Sequence, residues 1–227
     1  MQLVVRDSKF EARGPKSFVI FSINSHLLKF VKLKRDFYDR PAVDVAPELL
    51  GKVLVRRLNG KNLAGVIVET EAYAGPHDLA CHASKGRTLR TEVMFGTAGH
   101  AYVYMIYGFY FCLNVVTDRK GYPAAVLIRA IEPLENIMTM RRLRGTPERD
   151  VDIGSGPGKL CIALSIDKQL NGEDLTGETL WIEDRHFQVG PIHTSARIGV
   201  DYAGDYRDKL WRFYIAGNPH VSRAKKG

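Results

Sequence analysis

The pattern of apolar and polar positions changes texture at Phe37. Before it the chain is weakly periodic and broken at Gly14-Pro15. After it, "VDVAPELLG" (43–51) has helical spacing and closes at Gly51. "KVLVRRL" and "LAGVIVETEAY" read as two strands around the polar turn "NGKN" (59–62), whose Asn-Gly pair is a hairpin signal. "GPHDLACHASKGRTLRTEVMFGTAGH" has no period and reads as loop with one helical turn. "AYVYMIYGFYFCLNVVT" splits into two aromatic-rich strands near Tyr107-Gly108. "AAVLIRAIEP" adds a strand from Ala124 to about Ile131. "LENIMTMRRLRG" follows as a basic amphipathic helix stopped by Gly145. "GSGPGKLCIALSID" reads as a glycine-rich loop opening a helix, and "TLWIED", "ARIGV" and "LWRFYIAG" as later strands. No repeat or low-complexity segment interrupts them. Hairpin-linked strands with few helices predict an α+β fold on a mostly antiparallel sheet.

Composition bounds the picture. With 227 residues, 45% of them hydrophobic, the chain can build one substantial core, and one domain is expected. The longest apolar run, "FVIFSINSHLLKFV" (18–31), is interrupted by Asn24, His26 and Lys29, so no membrane span is read from it. It also lacks the small-residue cleavage pattern of a secretory signal. Cys81, Cys112 and Cys161 are widely spaced and form neither a disulfide framework nor a zinc motif. They read as small core residues of a protein in a reducing compartment.

The net charge of +8 points to an anionic partner, nucleic acid first. Its placement is uneven. Residues 1–36 hold eight basic and three acidic residues, so they contribute +5 and leave +3 for residues 37–227. The division expected is a basic extension, 1–36, and a folded body, 37–227.

Four segments carry candidate chemistry. In "IVETEAY" the two-residue period places Glu69, Glu71 and Tyr73 on one strand face, with Thr70 and Ala72 on the other. A carboxylate beside an aromatic ring in a cleft can serve as a base. On this segment alone a solvated or ion-paired face is the plainer reading. In "YVYMIYGFYF" most aromatics are core, but Tyr107 stands beside a turn glycine and would project, where a ring can wedge between stacked bases. "GSGPGKL" fails the phosphate-loop spacing, since Ile153 and Leu160 occupy positions that need Gly and Ser/Thr. Lys159 beside a helix start could still touch one phosphate, and a plain capped turn is the alternative. His77 and His82 flank Asp78, yet no third ligand makes a convincing metal site.

Taken in order, "LLGKVLVRR", "IVETEAYAGPHDLACH", "MFGTAGHAYVYMIYGFYFCLNVV", "AVLIRAIEP", "GSGPGKLCIAL", "RIGV" and "RFYIAGNPHVS" resemble the alkyladenine (3-methyladenine) DNA glycosylases of the mammalian type. The resemblance runs from about Phe37 to Ser222; residues 1–36 show none. It implies a curved sheet with a protruding hairpin, and an enzyme that hydrolyses the bond between deoxyribose and a damaged purine. Glu71 would be the general base for the attacking water, held with Arg129 and the Ile198 carbonyl. Tyr73, His82 and Tyr104 would sandwich the flipped base, Asn114 would lie at its edge near a guanine 2-amino group, and Tyr107 would fill the gap in the duplex. The resemblance implies no metal and no cofactor, and action on damaged double-stranded DNA; a monomer is expected, and since no lysine lies in the pocket motifs, a monofunctional enzyme with water as nucleophile. Its setting would be the cytoplasm or nucleoid of a prokaryote or the nucleus of a eukaryote. Residues 1–36 lie outside the resemblance; their charge alone points to a mobile basic arm holding DNA without sequence preference, with a targeting peptide or an unused upstream start as the plainer alternatives.

The physics agrees with that division of labour. Extruding a base costs a few kcal/mol, less where damage has weakened pairing. Alkylated purines are often cationic, and electron-rich rings attract cations. Departure of the base leaves an oxocarbenium-like sugar that a carboxylate stabilises. The sequence reading gave Glu69 no role beyond an ion pair with an arginine. Three rivals stand beside this reading: a non-catalytic damage-binding protein, a carbohydrate glycosidase using Glu69 and Glu71, and an RNA-modifying enzyme. Same-face strand neighbours sit only about 6.5–7 Å apart, whereas paired glycosidase acids face each other across a cleft.

Overall fold

The computed structural model describes residues 30–222. In chain order the elements are β1 (Val31–Lys32), α1 (Arg35–Tyr38), α2 (Ala42–Glu48), β2 (Val53–Leu58), β3 (Lys61–Tyr73), β4 (Ala101–Ile106) and β5 (Tyr110–Thr117). Then follow β6 (Ala124–Glu135), α3 (Ile137–Leu143), α4 (Val151–Gly154), α5 (Pro157–Ala163), β7 (Leu180–Asp184), β8 (Ile192–Ser195) and β9 (Arg212–Ile215). Among the described residues the nine strands join in one sheet ordered β1-β7-β2-β3-β6-β5-β4, with β9 pairing both β3 and β8. Every pairing is antiparallel, so the fold is α+β on a single domain, as the pattern predicted.

The hairpin turns fall where the turn residues allow. Asn59 and Gly60 both have positive φ (48° and 77°) between β2 and β3, which is what the Asn-Gly signal requires. Tyr107 and Gly108 do the same between β4 and β5, at 52° and 78°.

The central event is in β3. Leu63 and Ile67 point into the main core, packed with α2 and α5, while Ala64, Val66 and Val68 pack on the opposite face. Strict alternation would carry Glu69, Glu71 and Tyr73 into the main core with Ile67. The pairing of β3 with β6 shifts register on both sides of Glu69, leaving Val68 and Arg129 without a cross-strand partner. This double bulge reverses the alternation. Beyond it Ala72 faces the main core and Thr70 donates to the Ala46 carbonyl of α2 at 2.8 Å. The two glutamates and Tyr73 are turned to the other face. At the same place β3 exchanges its neighbour β2 for β9, with Glu69 opposite Tyr214 and Glu71 opposite Arg212. The acids thus sit in the middle of the sheet, between β6 and β9.

Several expectations need correction. "ARIGV" is no strand: residues 196–200 form a loop, and the pairing falls to β8 just before it. That loop is held by Arg197, which hydrogen-bonds loop and strand-end carbonyls instead of entering a ladder. β6 runs four residues past Ile131, and α3 starts at Ile137 because Asn136 adopts a left-handed conformation that a continuing helix cannot use. Residues 31–36, counted by charge with the extension, pack on the body. β1 pairs β7, Leu33 enters the main core, and Arg35 bridges Asp174 at 2.6 Å. Residues 1–29 lie outside the described residues. Among the described residues no helix is long and apolar enough to cross a membrane.

Candidate active site

A cavity of about 630 Å³ opens on the face to which the bulge turns Glu71 and Tyr73. Its walls include Tyr73 from the end of β3, His82 from the following loop, Tyr104 from β4, and Asn114, Leu127 and Arg129 from the neighbouring strands. Ile198 and Gly199 close it from the loop after β8, and Ser155 to Pro157 from the glycine-rich turn before α5. Tyr107 stands at the rim with 82% of its surface exposed. The sequence-predicted residues therefore converge on one site, with the exceptions of Lys159 and His77.

Glu71 lies below this lining, with no exposed surface. Its Oε1 accepts from the Ile198 N–H at 2.8 Å. Its Oε2 accepts from the Tyr73 hydroxyl at 3.0 Å and Arg129 Nη1 at 3.1 Å. All three partners are donors, which suits an acceptor-only carboxylate. The contact from Ile198 is made by its N–H. Burial pushes the Tyr73 hydroxyl well above its ordinary pKa, and the Glu71 charge adds to this, so Tyr73 keeps the proton it donates. Burial works against the charge of Arg129, but Glu71 and Glu69 together hold its guanidinium above its ordinary value.

Glu69 is a different kind of acid. Its Oε1 accepts from Arg129 Nε (2.9 Å), Arg212 Nε (2.7 Å) and Ser222 Oγ (2.9 Å), and its Oε2 from the Ser222 N–H at 2.6 Å. It is fully occupied in fixing Arg129 and the end of the described chain. The two acids share Arg129 on one side of the sheet and do not face each other across a cleft.

The aromatic walls have a definite arrangement. His82 and Tyr104 touch edge to face, with ring centroids 4.5 Å apart. A flat base needs roughly 7 Å between two rings that stack on it, twice the contact distance of carbon atoms. No base fits between those two rings, so they cannot be opposite walls of one base site. Burial, then the charges of Arg90 and Lys85, lower the His82 imidazole to about 4. It is therefore neutral near pH 7, and its Nδ1 sits 3.0 Å from the Tyr102 hydroxyl. The Asn114 side chain, almost wholly buried, donates from Nδ2 to the Tyr102 carbonyl at 3.1 Å, which fixes the amide's orientation at the cavity.

Two candidates are placed elsewhere. Lys159 contacts Asp152 at 3.3 Å and the Ser155 hydroxyl at 3.4 Å, so its charge is already engaged. His77 meets Tyr122 at 3.1 Å while Asp78 bonds Arg197, so His77, Asp78 and His82 do not converge. Among the described residues no cluster of three metal-ligating side chains exists.

Arg197, Arg212 and Ser222 were not among the residues expected at the site, and Asp78 was considered there only as a metal ligand. Arg197 pairs with Asp78 at 2.5 and 2.8 Å, bonds the Ala72 carbonyl at 2.9 Å, and lies over the Tyr73 ring. It ties the Ile198 loop to the loop after β3, and so positions the amide that holds Glu71. No local spacing announces such pairs, since the partners are over a hundred residues apart. The available signal was a lone arginine in the apolar strand "LWRFYIAG", the counterpart of the glutamates in "IVETEAY".

The site is an aromatic pocket above a clamped carboxylate, beside a projecting hairpin. The family model described as methylpurine-DNA glycosylase (MPG) matches residues 36–219, and the chain belongs to that family. On that membership it is a DNA glycosylase, an enzyme of DNA repair. A Methanocella arvoryzae protein is 56% identical over 197 residues, covering 86% of this chain and 98% of its own. Proteins of Alkaliphilus oremlandii (49% identical, 85% and 100% covered) and Legionella pneumophila strain Lens (50%, 85% and 98%) are similar over the same share. Each bears the name "Putative 3-methyladenine DNA glycosylase".

Proposed function

We propose that the cavity receives one damaged purine swung out of duplex DNA, and that Glu71 activates the water that displaces it. The observation that carries this is the Glu71 carboxylate, clamped by the Ile198 N–H, the Tyr73 hydroxyl and Arg129 directly beneath an aromatic-walled cavity. A binding protein has no use for a buried carboxylate beside an anionic backbone; a glycosylase has two. It takes a proton from water, and it stabilises the positive sugar as the base leaves.

The base lies with one face on Tyr73 and the other on His82 and Tyr104. Asn114 stands at its edge and crowds the 2-amino group of a normal guanine. Tyr107 fills the space vacated in the stack. Glu71 has no exposed surface in the free protein, so seating the substrate opens the layer formed by Tyr73 and Arg129. The cavity lining contains no lysine among the described residues. Water is therefore the nucleophile, and the enzyme is monofunctional. The names of the relatives make 3-methyladenine the first lesion to test.

The test is single-turnover excision from duplexes holding an alkylated purine or hypoxanthine. Glu71→Gln should still bind and should lose excision by roughly 10²-fold or more. Glu69→Gln, measured beside it, should lose less. Wild-type turnover in the first variant sinks the assignment, and a greater loss in the second would reverse the two acids.

A further inference from the structure

Electron-rich walls alone would favour cationic bases over neutral ones. One residue works against them. The Arg90 guanidinium lies 5.1 Å from the centroid of the Tyr104 ring, and Tyr104 lines the base cavity. Arg90 also lines a smaller adjoining cavity of about 270 Å³, which shares Cys81, His82 and Tyr202 with the larger one. No carboxylate pairs with Arg90 among the described residues. Its neighbour Arg87, by contrast, is held by both oxygens of Glu92. The charge of Arg90 reaches the wall itself. After burial it is the next cause lowering His82, and it opposes the rise that burial gives the Tyr102 hydroxyl.

We propose that Arg90 is a specificity-determining residue: its positive charge over the Tyr104 wall disfavours cationic bases in the cavity relative to neutral ones. Two physical effects act together. A ring whose quadrupole already holds one cation attracts a second less strongly. Two positive charges closer than a Debye length also repel each other, modestly here because the Arg90 side chain is exposed to solvent. Arg90 thus trims the natural preference of an aromatic pocket for cations, and leaves neutral lesions competitive. The proposal rests on the reading of the cavity as the base site.

The experiment compares two duplexes of the same flanking sequence, one with 7-methylguanine, which is cationic in DNA, and one with hypoxanthine, which is neutral. Excision is followed at saturating enzyme for the wild type, Arg90→Gln and Arg90→Lys. Arg90→Gln should raise the ratio of 7-methylguanine to hypoxanthine excision roughly threefold or more, the scale of an exposed cation–π contact. Arg90→Lys keeps the charge and should stay near the wild-type ratio. A contact from Arg90 to a DNA phosphate would slow both lesions equally. An unchanged ratio, or one moved toward hypoxanthine, overturns the proposal. A rise of the same size in Arg90→Lys also overturns it, because charge would then not be the cause. Failure of the wild type to excise either base would overturn the reading of the cavity itself, and the proposal with it.

Discussion

Glu69 and Glu71 carry the same charge on the same strand face, yet their partners divide them. Glu69 meets two arginines and a serine, four donors in all, three of them on one oxygen. Glu71 meets one arginine, one amide and one hydroxyl, all within reach of the cavity wall. That both acids share a face with Tyr73 was legible from the two-residue period. That Glu69 is tied up by Arg212 and Ser222 was not legible from the strand itself, because those partners lie well over a hundred residues downstream. The same scale governs His82. Its imidazole, brought to about 4 by burial and by Arg90 and Lys85, should titrate near that value and not near the ordinary 6.5. Ring proton shifts followed by NMR from pH 7 to 3 would check this, and a midpoint near 6.5 would contradict it. The sign of the linkage follows. Between about 4 and 6.5 the unfolded chain binds the proton that the folded chain refuses, so the His82 contribution to stability is lost as pH falls through that window.

At the scale of elements, the strands were read where alternation and turn residues agreed. β2, β3, β4 and β5 fall close to their expected places, because Asn59-Gly60 and Tyr107-Gly108 supply the positive φ that a tight hairpin needs. β1 and β8 escaped notice for a physical reason. They have two and four residues, and their surfaces are largely exposed, so no alternation marks them. The bulges that turn Glu69 and Glu71 away from the main core leave no composition signal either, since Val68 is as apolar as a regular strand residue. The β4–β5 hairpin supports a prediction of its own. Tyr107 holds φ at 52° with its ring in solvent, a conformation that costs a non-glycine residue about 1 kcal/mol and returns no packing in the free protein. Tyr107→Asn, which tolerates that backbone, should raise stability by up to about 1 kcal/mol in urea unfolding. It should also slow excision of a paired lesion, and slow it less for a mispaired one. Loss of stability in the variant would show that the ring is packed, and equal slowing of both lesions would remove it from base extrusion.

For the whole molecule the charge map now has a different boundary. Lys32, Leu33 and Arg35 are anchored on the body, so the basic extension left to consider is residues 1–29. It carries five basic residues and two acids. If about two of the five neutralise phosphates, deleting residues 1–29 should flatten the slope of log affinity against log salt by roughly 1.8. Single-turnover excision at saturating enzyme should not change, because every cavity residue lies beyond the cut. An unchanged slope would leave the extension without a role in DNA binding. A cut at residue 36 would be a poor test, since it removes β1 and the Arg35–Asp174 bridge as well.

The clamp on Glu69 bears on the order in which the molecule can be made. Three of its four donors belong to Arg212 and Ser222, within the last eleven described residues. The Glu71 amide donor and its Arg197 anchor also come late, more than a hundred residues after the strand they serve. While the chain is emerging from a ribosome, β3 is complete long before these groups exist. Its two carboxylates then stay in water, since burying an unpaired charge is strongly unfavourable. The face of the sheet that carries Glu69 and Glu71 is therefore expected to close after the rest. A chain ended before Arg212 would lack three of the four donors to Glu69, so that carboxylate would stay in water and the face it shares with Glu71 would stay open.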